Sequence, residues 1–160
     1  MDPRVLPLAE TLRLNTRLFR NCLAGLADPV AQGRPSDKTN SAAFVAAHLT
    51  DSRYYLLGSL GVKEASPLKG AKGGFNKIDD VTTFPPLAEI QAAWTAVGKV
   101  LDHRLGAMAA TDLDAPLDPG FPVETQTLLG LVVFLVQHES YHLGQLGLLR
   151  KHAGLPAMEY

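Results

Sequence analysis

Apolar residues recur at three- and four-residue intervals in four separate stretches, the period of a helix with one buried face. In the first, Val5, Leu8, Leu12, Phe19, Leu23 and Leu26 keep this spacing, and Asp28-Pro29 is expected to end the helix. The second begins after Asn40 or Ser41, either of which can cap it. It carries Phe44, Val45, His48, Leu49, Tyr55 and Leu56 before Gly61 stops it. The third opens after Pro85-Pro86 and shows an unbroken stripe of Leu87, Ile90, Trp94, Val97, Leu101, Leu105 and Met108. The fourth starts near Thr125 and runs to Gly154, with Pro156 beyond it, a pairing that marks a helix stop. No strand alternation and no internal repeat interrupt the pattern. The fold class is all-α.

The joints between helices differ in length. Helices two and three are separated by GVKEASPLKGAKGGFNKIDDVTTFPP, about 25 residues, which is long for a connection in a compact domain. At about 3.3 Å per residue it can run the length of a 20-residue helix of about 30 Å. A four-helix bundle with one long crossover between helices two and three needs such a segment. Helices two and three are then parallel, and helix two lies antiparallel to helix four.

Composition narrows the class without changing the fold. At 160 residues, 46% hydrophobic and 19% charged, the chain reads as a single globular domain over residues 1–160. A formal net charge of −1 gives no reason to expect nucleic acid as a partner. The longest apolar run, residues 128–136, is well short of the roughly 18 residues of a membrane span. A lone cysteine, Cys22, and an N-terminus without a signal-peptide core lead to the expectation of a cytoplasmic protein.

The chemistry is carried by histidines. His138 and His142 are four apart on helix four, and Phe134, Leu135, His138, His142, Leu146 and Leu149 form one stripe. Residues at i and i+4 share a helix face, so both imidazoles project where core residues would otherwise lie. One buried histidine is usually a satisfied core residue. Two stacked on an apolar stripe are harder to satisfy, because each has two nitrogens and burial disfavours its charge. In the crossover topology His48, near the start of helix two, falls toward the C-terminal half of helix four. Three imidazoles there would hold one divalent metal and leave a position open, which is the mark of catalytic rather than structural zinc.

Two competing motifs fail. His-Glu-Ser-Tyr-His matches H-E-x-x-H, with Glu139 in the general-base position of a zinc peptidase. Only 18 residues follow His142, however, and Gln145 and Leu148 occupy the glycine and third-histidine places of the extended form. Residue 139 is rotated about 100° from His138, so Glu139 is expected to flank the site. The string GAKGG has no preceding strand and no following Gly-Lys-Ser/Thr, which excludes a phosphate loop.

The segments AAHLTDSRYYLLGSLG and HESYHLGQLGLLRKHAGLP together resemble the DinB/YfiT superfamily of small metal-binding four-helix bundles. The most specific part is H-x-x-Y-H-x-G-Q-L-x-x-L-R-x-x-x-G, here His138, Tyr141, His142, Gly144, Gln145, Leu146, Leu149, Arg150 and Gly154, and the family's first histidine matches His48. The resemblance spans nearly the whole chain. It implies a divalent metal, zinc or nickel first, on His48, His138 and His142, and a homodimer. Characterised members of the family are thiol S-transferases using bacillithiol or mycothiol and a mycothiol-dependent maleylpyruvate isomerase. A small-molecule substrate and a low-molecular-weight thiol co-substrate follow as expectations. Hydrolysis by a metal-bound water and a non-catalytic metal-binding or dimeric interaction protein are the alternatives. No catalytic residue is assigned.

The remaining polar residues have plainer readings. His103 lies off the helix-three stripe and His152 sits in the last turn of helix four, where a cation favours the helix dipole. Asp51 either orients an imidazole or is a surface acid. Gln145 either binds a metal-bound water or bridges helices, and Tyr141 either donates a proton or, as is commoner, packs with its hydroxyl at the rim. Lys63, Lys69, Lys72 and Lys77 either stud a solvated loop, the commoner case, or meet the carboxylates of a low-molecular-weight thiol, and Cys22 is a small apolar filler.

Overall fold

The computed structural model describes residues 2–118 and 120–160. Each long helix begins where a cap or a proline permits it. Ser41 accepts the Phe44 N–H at 3.2 Å and opens a helix over Ala42–Ser59, and Thr127 accepts the Gly130 N–H to open Leu128–His152. Numbered in chain order, the α-helices are α1 (Leu6–Leu23), α2 (Asp28–Gln32), α3 (Ala42–Ser59), α4 (Leu87–Ala107), α5 (Ala110–Leu113) and α6 (Leu128–His152). A 3-10 turn spans Ile78–Asp80. The described residues contain no β-strand, only isolated antiparallel bridges at Ala71–Val81 and Pro116–Thr127. The described residues are all-helical, with four long helices and two short ones.

One boundary differs from the sequence expectation. Asp28-Pro29 starts a helix rather than ending one: α1 stops at Leu23, and α2 begins with Pro29 in its first turn. Proline lacks an N–H that the first turn would leave unpaired anyway, so it suits a helix start as well as a stop. Asp28 also accepts the Leu87 N–H at 2.9 Å, tying this joint to the first turn of α4.

Contacts along the helices set their directions. Asn15 meets Ser140 and Cys22 meets the Leu143 carbonyl, so α1 and α6 run the same way. Arg53 lies over Trp94 and Arg104 donates to the Leu60 carbonyl, so α3 and α4 also run together. Phe19 stacks on Trp94 at 4.1 Å, while Arg13 pairs with Asp102, which makes α1 antiparallel to α4. α3 packs on both α4 and α6. Because it runs with α4, and α1 runs with α6 but against α4, α3 lies opposite in direction to α6.

All seven stripe residues of α4, Leu87 through Met108, are buried. Burying a leucine- or phenylalanine-sized side chain stabilises by about 1.5–3 kcal/mol, so these stripes supply most of what holds the helices together. The core falls into two apolar clusters. One contains Phe19, Phe44, Leu49, Phe75, Ile90, Trp94, Leu143 and Leu146. The other contains Val5, Leu56, Leu57, Leu60, Leu101, Leu105, Leu131 and Leu135. Tyr55, expected on the buried stripe of its helix, is 58% exposed, and its neighbour Tyr54 is buried instead. The N-terminal half of α3 is buried on every side, so its periodicity does not choose between adjacent positions.

A polar layer crosses the core. Arg53 is 2% exposed and Glu139 4%, and they form a two-pronged pair with both N–O distances at 2.7 Å. Arg53 also donates to the Thr16 hydroxyl at 2.8 Å and the Leu12 carbonyl at 3.0 Å, and its guanidinium carbon lies 3.4 Å from the Trp94 ring centroid. Gly98 makes room for it. A Cβ at that position would sit 2.8 Å from Arg53 Nη1, which explains a glycine inside a helix where alanine is favoured by about 1 kcal/mol.

Candidate metal centre

α3 and α6 bring three imidazoles to one point on the flank of the polar layer. His48 Nε2 lies 3.1 Å from His138 Nε2, and His142 Nε2 lies 3.1 Å from the same atom. The three residues are half-buried and form a group whose ligand atoms all lie within 4.8 Å of one another. The i,i+4 spacing on α6 supplies two of them, and the antiparallel packing of α3 supplies the third.

What each imidazole does with its other nitrogen decides what the cluster can accept. His48 Nδ1 faces the Phe75 carbonyl at 2.8 Å, so it carries the proton and leaves a lone pair on Nε2. His142 Nδ1 faces the Gln145 carbonyl oxygen at 2.7 Å, with the same consequence. His138 Nδ1 is buried and has no partner among the described residues. If His138 were neutral with its proton on Nε2, it could donate toward one neighbour, but the other lone pair and its own Nδ1 would remain unpaired. Among the protein's own described groups, no arrangement of protons on three neutral imidazoles pairs every ring nitrogen. A cation at the centre accepts all three lone pairs together.

The spacing and electrostatics fit such a cation. Ligands 2.0–2.1 Å from a tetrahedral zinc are separated by about 3.3–3.4 Å, close to the observed 3.1 Å. Burial, followed by the neighbouring His142 and His48, pushes the His138 pKa down to about 4. Burial also lowers that of His142, against the hydrogen bond it donates to the Gln145 carbonyl oxygen, which raises it. At neutral pH both rings keep free lone pairs. A cavity of about 470 Å³ opens on the cluster, bounded by His48, Ser52, Tyr55, Gly74, Leu135 and His138.

The other candidate residues sort clearly. Glu139 flanks the cluster but is engaged by Arg53 in the core, so it is not placed as a base toward the histidines. Gln145 neither bridges helices nor faces the cavity. It holds His142 from one turn further along α6. Asp51 accepts the Phe75 N–H at 2.9 Å and the Ser66 hydroxyl, reaching His48 only through the Phe75 peptide. Tyr141 is 60% exposed beside His142. His103, His152 and Lys63, Lys69, Lys72 and Lys77 are exposed, away from the cluster. Cys22 is buried against Met158, and burial pushes its thiol up to about 11, so it stays protonated.

Sequence reasoning missed Arg53, Ser66 and Phe75. Arg53 had a signal: it stands four residues after Leu49 and three before Leu56, a charge on a buried stripe, as Glu139 stands between Leu135 and Leu143. Two opposite charges on facing apolar stripes can be buried only if they meet. Ser66 and Phe75 lie in the long connection, where spacing carries no such information.

Comparison with known proteins agrees with this architecture. No curated protein matches the sequence. A DinB-like protein from Bacillus cereus is similar in structure, with a TM-score of 0.72 and 18% identity, covering 96% of this chain and 95% of that one. A conserved protein from Enterococcus faecalis gives a TM-score of 0.67 and 14% identity over 92% of this chain and 95% of its own. At these identities the likeness is one of fold. The DinB superfamily profile matches residues 11–146, a span that takes in all three histidines. The chain belongs to the DinB superfamily.

Proposed function

We propose that this protein is a metal-dependent enzyme in which His48, His138 and His142 hold one divalent ion, zinc or nickel, and that it transfers a thiol to a small electrophile. The observation that carries the reading is the convergence of three Nε2 lone pairs at the edge of an open cavity. We read the four long helices and the 60–86 connection as the bundle and crossover that support it. A cation held there would supply Lewis acidity and lower the pKa of a thiol in the open position.

The chain's own residues have definable parts in this chemistry. Three neutral imidazoles leave the ion's charge uncompensated, which favours an anionic fourth partner such as a thiolate. Phe75 and Gln145 hold the protons of His48 and His142 on Nδ1, keeping both Nε2 atoms free. A cavity of about 470 Å³ lies within the range that holds a small organic molecule. In transfer, the sulfur forms a bond to the electrophilic carbon, the leaving group departs with its electron pair, and the thiol proton passes to solvent. An open cavity at the cluster favours turnover over a purely structural ion. A homodimer, expected from the family resemblance, and a cytoplasmic location, expected from the lone Cys22, accompany this reading.

Metal analysis of protein purified without a histidine tag tests the first half. About one ion per chain is expected for a single site of this kind. No uptake in the presence of added zinc or nickel would refute it. The second half is tested by incubating metal-loaded protein with a panel of electrophiles and glutathione, bacillithiol, mycothiol or no thiol. Adduct formation that requires one thiol supports transfer. Turnover with water alone replaces it with hydrolysis, and no turnover, with metal affecting only stability, replaces both with a binding role.

A further inference from the structure

The acceptor that fixes His48 does not come from a helix. It is the carbonyl of Phe75, in the long connection between α3 and α4, 2.8 Å from His48 Nδ1. A loop carbonyl orients an imidazole only if the loop itself is held. Residue 75 is held at three points: its ring is 1% exposed in the core, its carbonyl accepts from His48, and its N–H donates to Asp51 Oδ2 at 2.9 Å. The second oxygen of Asp51 accepts the Ser66 hydroxyl, at the other end of the same segment.

Asp51 and His48 are three residues apart on α3 and so project from one helix face. Together they clamp the Phe75 residue, the carboxylate taking its N–H and the imidazole its carbonyl. The segment is built to present that residue. It doubles back through Lys72 N–H to Asp80 O at 3.2 Å and Thr82 N–H to Gly70 O at 2.7 Å. Gly74, at φ +90°, lets the chain approach the carboxylate, since a Cβ there would lie 3.2 Å from Asp51 Oδ2. His142, by contrast, is fixed by Gln145 on its own helix.

We propose that Asp51 is a positioning residue for the histidine cluster, setting the proton position and ring orientation of His48 through the Phe75 peptide. This rests on the metal reading above. Both Asp51 oxygens accept hydrogen bonds from the segment, so the carboxylate lies beside the cavity without serving as its base. The orientation it imposes keeps His48 Nε2 turned toward His138 and free of hydrogen.

The experiment combines two readouts on Asp51→Ala and Asp51→Asn. Zinc affinity is measured by competition with a chromophoric chelator, and the His48 tautomer by 15N NMR of the metal-free protein. Asp51→Ala is expected to weaken zinc binding about 10- to 100-fold and to abolish the single Nδ1–H form of His48. Asp51→Asn, whose amide oxygen can still accept the Phe75 N–H, is expected to recover most of both. A merely structural role would lower the melting temperature of Asp51→Ala without moving the tautomer or the affinity of the folded protein. That result, or Asp51→Asn as impaired as Asp51→Ala, would overturn the proposal. If the parent protein takes up no zinc, the metal reading fails by itself, and the tautomer in Asp51→Ala still decides this one. If Asp51→Ala does not fold, Gly74→Ala crowds the same carboxylate from the loop side and must shift the tautomer in the same direction. An unchanged tautomer there would overturn the relay.

Discussion

Two polar clusters lie side by side between α3 and α6, and they are opposites in how their atoms are satisfied. In the Arg53–Glu139 pair, two guanidinium prongs meet two carboxylate oxygens, and Thr16 and Leu12 take further donors. In the histidine cluster next to it, three lone pairs face one another and His138 Nδ1 has no partner among the described residues. His138 and Glu139 are adjacent in sequence, so the difference does not come from depth along the helix. It comes from what the rest of the fold supplies. A buried polar group that is fully paired is finished and serves to fix register. One that is left incomplete needs something from outside the chain.

The comparison is broken most violently at its finished half. Glu139→Ala leaves a guanidinium buried without its counter-charge, and removing one partner of such a pair typically costs about 3–5 kcal/mol. The unfolding free energy extrapolated from denaturant titration should fall by that amount. Any protein that remains folded should still bind zinc, because Glu139 does not touch the cluster. Replacing both partners together, Arg53→Met with Glu139→Leu, should recover most of the loss, since apolar substitutes of similar volume are often neutral or stabilising. A double variant as unstable as Glu139→Ala alone would show that the pair contributes more than mutual neutralisation.

Much of this contrast was legible before any coordinates, and the illegible part has a physical pattern. Local signals survive: the four stripes, the Ser41 cap, the shared face of His138 and His142, and the expectation that Glu139 would flank the cluster. Arg53 and Glu139 are 86 residues apart, and periodicity says that each faces a core without saying which turn of one helix meets which turn of the other. The clamp on Phe75 was hidden for another reason. It depends on main-chain atoms of a connection with no period, and backbone N–H and carbonyl groups are the same at every position. Tyr54 and Tyr55 are adjacent, and the N-terminal half of α3, buried on every side, offers no phase that would choose between them.

The unfinished half predicts a different response to mutation. His138→Ala or His142→Ala should abolish metal uptake while changing metal-free stability by only about 1 kcal/mol, the ordinary scale for a single substitution. The two effects are separated by unfolding with and without zinc. For the parent, zinc at 100 times its dissociation constant should add about 2.7 kcal/mol, and for the variants nothing. A variant that loses as much metal-free stability as Glu139→Ala would mean that the histidines, like the ion pair, serve the fold.

The smallest effect is the most specific to the incomplete cluster. Burial pushes the His138 pKa down to about 4 and lowers that of His142, whereas the unfolded chain titrates near 6.5. Between those values the unfolded state of metal-free protein binds more protons than the folded state, so stability must rise with pH. The contribution is therefore fully present above about 6.5 and is lost as the pH falls toward about 4. One group with a shift of this kind gives a slope of at most about 1.4 kcal/mol per pH unit, and partial exposure reduces His138 to a fraction of that. Denaturant midpoints collected across this window on metal-free parent and His138→Leu should diverge, with the variant flatter. Zinc should steepen the parent's dependence, because protons and the ion compete for the same Nε2 atoms. Parallel curves for parent and variant would mean that His138 gains a partner in solution, and the contrast with Arg53–Glu139 would disappear.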